Sequence, residues 1–454
     1  MTDSTGPRTR EALADIAAVL RHGDEQARLE AVRRLPDAGD PGSSDVLALL
    51  EEALGDDSFR VRKEAVRVAL AWRDQARLAE RMVEVLAEPD NVGRRNAALE
   101  IVTGLGLLAL EPLLRALQGL PKHRKLLVEA LGSLSGAPVS RVAPALCAAL
   151  RDEDPNVRAA AAEALGALVE LSPEVQGALR RVLVEDTDLV VRLGALEALN
   201  RHQIALPVAM LQPLLGELVL RPAVLLALGR SGDPNALPFL LEGLLDRARG
   251  TREASMRGLC DLHARVPEAR MDIEAHLRGL SELALRSTIR ALLEASPDAR
   301  AAAATLLRFS GHPGVVRPLV LALLDQHQAV ATAAEETLAT LGDAAVEVLC
   351  DLLPDLDAAG RAVLLSFFAR AGAALKGQLK EATQQRVLVL LCRALSEPNP
   401  QAATAAARAL GVLGGPAAVD SLRQAAAAGG PAAAEALVAL EQLQRRLCHE
   451  AREP

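Results

Sequence analysis

Three groups of residues have the types and spacing to do chemistry. Lys122-His123-Arg124-Lys125 is the only dense basic cluster in the chain. Where a helix begins, like charge opposes the positive end of the helix dipole. Such a cluster therefore suits an acidic partner segment or a phosphate, and its plainer reading is a solvated turn. Asp272 and His276, at i and i+4, share a helical face, with Glu274 between them and His263 thirteen residues before His276. Side chains of these types ligate metals, but no further ligand stands at a recognisable spacing, so ordinary helix-surface polarity is the reading preferred. The third group recurs: Asp154 with Arg158, Asp188 with Arg192, and Arg62 and Arg300 at the same offset after Ser58 and Ser296. Read as function, these pairs form a polar ladder that grips a ligand. Read as structure, Asp caps a helix and Arg, four residues on, bonds back to it or to the neighbouring repeat. A residue needed in every unit serves stacking, which favours the structural reading. No G-x-x-x-x-G-K-[ST], G-x-S-x-G or H-E-x-x-H occurs. No catalytic residue, cofactor or metal site is expected on these grounds.

The element that positions the ladder is a helix start. In Asp154 to Gly166, Asp154 is a good N-cap and Pro155 occupies the first helical position, where its missing N–H costs nothing. Val157, Ala161, Ala164, Leu165 and Leu168 form one apolar stripe behind it. Gly166 closes the helix, and Ser172-Pro173 begins the next by the same cap-then-proline logic. The pattern returns at Asp188 to Arg192, and also fits Asp24 to Arg28, Ser58 to Arg62, Ser296 to Arg300 and Asp357 to Arg361. Looser versions end at Arg95, Lys125, Arg221 and Arg252. The anchors from 28 to 252 are spaced by 29 to 34 residues, a period that marks a solenoid.

The motif D-x-x-V-R-x-x-A-A-x-A-L-G, as it stands in Asp154 to Gly166, resembles the second half of a HEAT repeat, and more narrowly the short HEAT-like repeats of phycobilisome lyases. The resemblance covers nearly the whole chain at repeat level. It implies an all-α fold, a curved α-solenoid of about twelve HEAT-like helical pairs whose second helices line a concave face. Such a solenoid offers a long, stiff surface, so the function expected is a non-enzymatic scaffold or adaptor that binds a protein partner along that face. The same resemblance leaves a lyase or lyase subunit as an alternative, and a nucleic-acid binder similar to the HEAT-like DNA glycosylases as a further one.

Composition weighs on these readings. A net charge of −8 speaks against a general nucleic-acid or anionic-membrane binder, and 1% aromatic content with no Tyr leaves little for base stacking. Half of the residues are hydrophobic, mostly Ala, Leu and Val, which suits helices stacked closely. The five cysteines stand one at a time without a C-x-x-C, as buried thiols in a reducing cytosol would. Met1 to Arg10 has no apolar core, so no secretory signal is expected, and no apolar run of bilayer length stands out. The expected protein is cytoplasmic, with a protein partner and neither nucleic acid nor membrane; its oligomeric state is left open.

The expected organisation is a disordered stretch at 1–10, a repeat array over 11–265, an irregular unit or extra helix at 266–296, and further repeats with a capping helix over 297–454. The units from 119 to 215 are the most regular. After 216 the pattern loosens, and Arg221-Pro222 puts a proline inside an expected second helix.

Overall fold

The computed structural model describes residues 7–72, 75–87, 91–119, 123–430 and 432–450. Every regular element among them is helical, and no strand is present among these residues. Among the described residues twenty-seven α-helices follow one another. Setting aside the short helix Arg270–Arg278, the other twenty-six form thirteen successive pairs of a first and a second helix. In each of two compact units, one ending at Ile204 and one beginning at Ala205, successive second helices pack on one another. The boundaries expected at 265 and 296 both fall inside the second unit.

One pair shows why these residues fold this way. Asp154 sits in extended backbone and its carboxylate accepts from the Asn156 N–H at 2.9 Å. Pro155 opens the helix Pro155–Gly166, which buries Val157, Ala160, Ala161, Ala164 and Leu165. Ser172 caps Pro173–Glu185 by accepting from the Val175 N–H, and Asp188 caps Leu189–Arg201. Gly166 closes its helix in right-handed backbone, so no left-handed cap is its purpose. A Cβ there would come 2.9 Å from the Ala198 Cβ of the next second helix. The glycine is required because the two helices approach that closely. The same need appears at Gly229, where a Cβ would run into the Gly258 carbonyl.

Several expectations shift. The first helix starts at Pro7, inside the stretch expected to be unstructured, while residues 1–6 lie outside the described residues. Pro222 does not kink a helix: it takes the first turn of Arg221–Arg230, where proline is tolerated. Prolines within helices are found instead at Pro36 and Pro144. Residues 266–296 hold Arg270–Arg278 and then Glu282–Glu294, which pairs with Pro297–Leu307 in the ordinary way. Val92–Gln118 and Ala358–Leu375 are long and apolar enough to cross a bilayer by composition, and each is about half buried among neighbouring helices.

Candidate functional site

The recurring arginines build a ladder between repeats. Arg158 donates through Nε and Nη2 to both carboxylate oxygens of Asp186 at 2.7 and 2.9 Å, while its Nη1 bonds the Asp152 and Glu153 carbonyls of its own turn. One planar guanidinium thus closes its own turn and clasps the next, a geometry that lysine cannot supply. The same two-edged clasp joins Arg28 to Asp56, Arg124 to Asp152 and Arg300 to Asp325, while Arg221 reaches Asp246 through Nη1 alone and gives its Nε to the Leu215 carbonyl. At these five arginines the bond runs to the neighbouring repeat and not back to the cap, whereas the bonds of Arg62 and Arg192 stay within their own repeats. Arg62 bonds the Asp56 and Asp57 carbonyls at 2.6 and 2.9 Å, and Arg192 bonds the Leu183 carbonyl.

Sequence reasoning missed the acceptors. They stand two residues before each cap position, at Asp56, Asp152, Asp186, Asp246 and Asp325, and that recurrence was the available signal. Each also accepts the N–H two residues on, as Asp186 does from Asp188. Burial pushes the Asp186 carboxyl up, but the Arg158 guanidinium and the Asp188 and Thr187 amides outweigh it and hold the group below its ordinary value. Asp246 and Asp325 follow the same balance.

A broad groove lies in the second unit, on the exposed faces of four successive second helices: Gln328–Leu341, Ala358–Leu375, Pro400–Leu413 and Ala433–Glu450. Its volume is about 950 Å³. The floor is built of small side chains, among them Ala331, Ala362, Ser366, Ala369, Thr404 and Ala405. At the ladder position four residues after the caps, Ala331 and Ala403 replace arginine on the first and third of these helices. Across the groove run two ion pairs. Arg370 on the second helix holds Glu335 on the first, with contacts of 2.6 to 2.9 Å. Arg408 on the third helix holds Glu435 on the fourth at 2.9 Å through Nε. Both guanidiniums are more than half exposed, and the bond to Glu435 keeps Arg408 firmly charged. The Ser366 hydroxyl is engaged by the Ala362 carbonyl of its own helix at 2.7 Å. The groove thus presents a shallow floor, open to close approach, with a fixed pattern of charge.

The sequence pattern of HEAT repeats matches residues 13–102 and 110–200. Both segments are HEAT repeats. Among solved structures, importin beta is 14% identical, with 95% of this chain and 74% of that one covered at a TM-score of 0.51, and it shares the HEAT solenoid fold. A mutant of Kap121p is 12% identical over 98% of this chain and 62% of that one, at a TM-score of 0.47. An engineered protein is 18% identical over 89% and 99%, at 0.39. No curated protein matches the chain.

The structure also places most of the other residues singled out in the sequence. Of the basic cluster, Lys122 lies outside the described residues. His123 stands at the start of Arg124–Gly132 without a side-chain cap bond. Arg124 is the ladder arginine of its repeat, the place that the sequence register gave to Lys125; it reaches Asp152 at 2.6 Å and Glu153 at 3.1 Å. Lys125 lies 3.5 Å from Glu129 one turn on. Beside Arg124, a smaller groove of about 630 Å³ opens over Leu114, Val128, Pro144 and Ala148, with Arg115 and Arg141 among its polar lining. Asp272 and His276 do not converge on a shared ligand position: the His276 ring bonds the Asp272 backbone carbonyl, and Glu274 meets His263 at 3.1 Å. Among the described residues no three His, Cys, Asp or Glu side chains gather as a metal ion would need. All five cysteines are free; burial pushes the Cys260 thiol up to about 12 and Cys350 to about 11, leaving neither a ready nucleophile.

Proposed function

We propose that this HEAT-repeat protein is a non-enzymatic scaffold that binds a protein partner along the exposed faces of its second helices, with the groove of the second unit as the principal docking face. The observation that carries this reading is the groove's construction. Four helices contribute a floor of small residues on which a partner backbone can lie closely, and cross-helix ion pairs hold its charges in place. Repeat stacking keeps such a surface rigid, so a partner loses little free energy to ordering it. The free thiols suit a reducing compartment, which supports a cytoplasmic setting.

The test fills the groove. S366W and T404W place an indole on its floor, and V389W places one on an exposed first-helix position as a control. Quantitative pull-downs should show the same proteins with the wild type and V389W, lost from S366W and T404W at unchanged thermal stability. Partners retained by both groove variants and lost from the control would refute the assignment.

A further inference from the structure

The order of charge across the groove narrows the kind of partner that fits it. Reading the four helices in turn, the groove shows Glu335, Arg370, Arg408 and Glu435: acid, base, base, acid; Asp325, which also lines it, stands before the first of these helices and is held by Arg300. The outer interfaces are each bridged, Glu335 by Arg370 and Glu435 by Arg408. At the central interface, between Ala358–Leu375 and Pro400–Leu413, the two groove charges are of like sign. Each arginine gives its Nε and Nη2 edge to its own glutamate. A guanidinium carries five N–H donors, so the Nη1 edges remain for a further acceptor. Each glutamate has lone pairs beyond those its arginine takes. The centre of the groove therefore suits a carboxylate, and its two flanks suit cations.

Spacing follows from helix packing. Stacked helices lie about 8–10 Å apart, so the three steps from the first to the fourth helix cover about 24–30 Å. An extended chain advances about 3.3–3.6 Å per residue, so about eight residue steps cross that span, with the midpoint at about four. The small floor admits an extended backbone and leaves little depth for large apolar side chains. We infer that the groove takes an extended segment of a partner protein in which one acidic residue is flanked, about four residues away on each side, by basic residues. This inference rests on the groove being the docking face.

The experiment titrates the full chain with fluorescein-labelled nonapeptides, read by anisotropy. One peptide is Lys-Ser-Gly-Ser-Glu-Ser-Gly-Ser-Lys, a second has Glu at both ends and Lys at the centre, and a third is the first with Gln at its centre. The first should bind the wild type about tenfold or more tighter than the other two, in a salt-sensitive way. The variant E335R/R370E/R408E/E435R exchanges the signs and keeps both cross-helix pairs, and it should prefer the second peptide. Should that variant fold poorly, R370Q/R408Q gives the same information by reducing the first peptide's affinity to that of the Gln peptide. Equal binding of the three peptides, or a preference untouched by these variants, would overturn the inference. If the indole variants S366W and T404W still abolish partner binding in that event, the charge pattern fails alone; if they do not, the docking face fails with it.

Discussion

Arg158 reaches across one whole repeat to clasp Asp186, 28 residues away, with both N–H edges on both carboxylate oxygens. Neither residue is more than 15% exposed at its side chain, so the pair is largely screened from water. Its partners along the array, Arg28 with Asp56 and Arg300 with Asp325, repeat the arrangement. The ladder thus ties each of these repeats to the next.

Arg158→Ala should lower stability by about 1–3 kcal/mol, because it strands a largely buried carboxylate and opens the bonds to two turn carbonyls. Asp186→Ala should cost a similar amount, and the double variant less than the sum of the two. Denaturant unfolding of the four proteins measures the coupling. Additive losses would show that the clasp contributes nothing as a pair.

Helix-cap chemistry is local, and so it was readable. Asp154, Ser172 and Asp188 announce helix starts through residues within one turn of each other, and the period of the anchors announced the solenoid. Asp186 could not be assigned to Arg158 in the same way, since the contact exists only after two repeats stack. The same limit applied to Gly166, whose neighbour Ala198 lies in another repeat, and to Pro222, whose place at a helix start depended on where Arg221–Arg230 begins. The groove was the least legible feature. Glu335 and Arg370 lie 35 residues apart, and nothing in their local sequence shows that they meet.

Glycine positions give a contrast that composition alone does not. Gly166→Ala and Gly229→Ala should each destabilise by about 1–3 kcal/mol, since the added methyl meets the next second helix in a packed interface. Gly177 lies inside Pro173–Glu185 with open space where a Cβ would go. Gly177→Ala should therefore stabilise by about 0.5–1 kcal/mol through helix propensity. Thermal melts of the three variants decide the matter, and a similar loss in all three would contradict close packing as the cause.

Acid should unfold the protein over a defined window. The Arg67 guanidinium holds the Glu64 carboxyl at about 2, with Arg33 adding to it against the effect of burial. The Lys380 amide and ammonium hold Asp343 at about 2. Both folded values lie below the unfolded ones, near 4.3 for Glu and 3.9 for Asp. Their contribution is therefore complete above about pH 4.5 and is lost as pH falls towards about 2. Denaturant midpoints should stay level from neutral pH to about 5 and then drop, with a smaller drop in E64Q/D343N. A midpoint that rises on acidification would contradict these assignments.

Thiol reactivity should follow burial. Cys448 is exposed, whereas burial raises Cys260 and Cys350 well above the ordinary thiol range. Iodoacetamide at pH 8, followed by mass spectrometry, should label Cys448 in the folded protein and reach Cys260 and Cys350 only after unfolding. Equal labelling of all three in the native state would show that the second unit opens readily.

The most direct measurement is site-specific photo-crosslinking in cells. A benzophenone amino acid replaces Thr404 on the groove floor or, in a second protein, Val389 on an exposed first-helix position. Docking along the second helices predicts a discrete protein adduct at Thr404, absent at Val389 and lost when R370E/R408E is added. An adduct at Val389 with none at Thr404 would contradict the central claim.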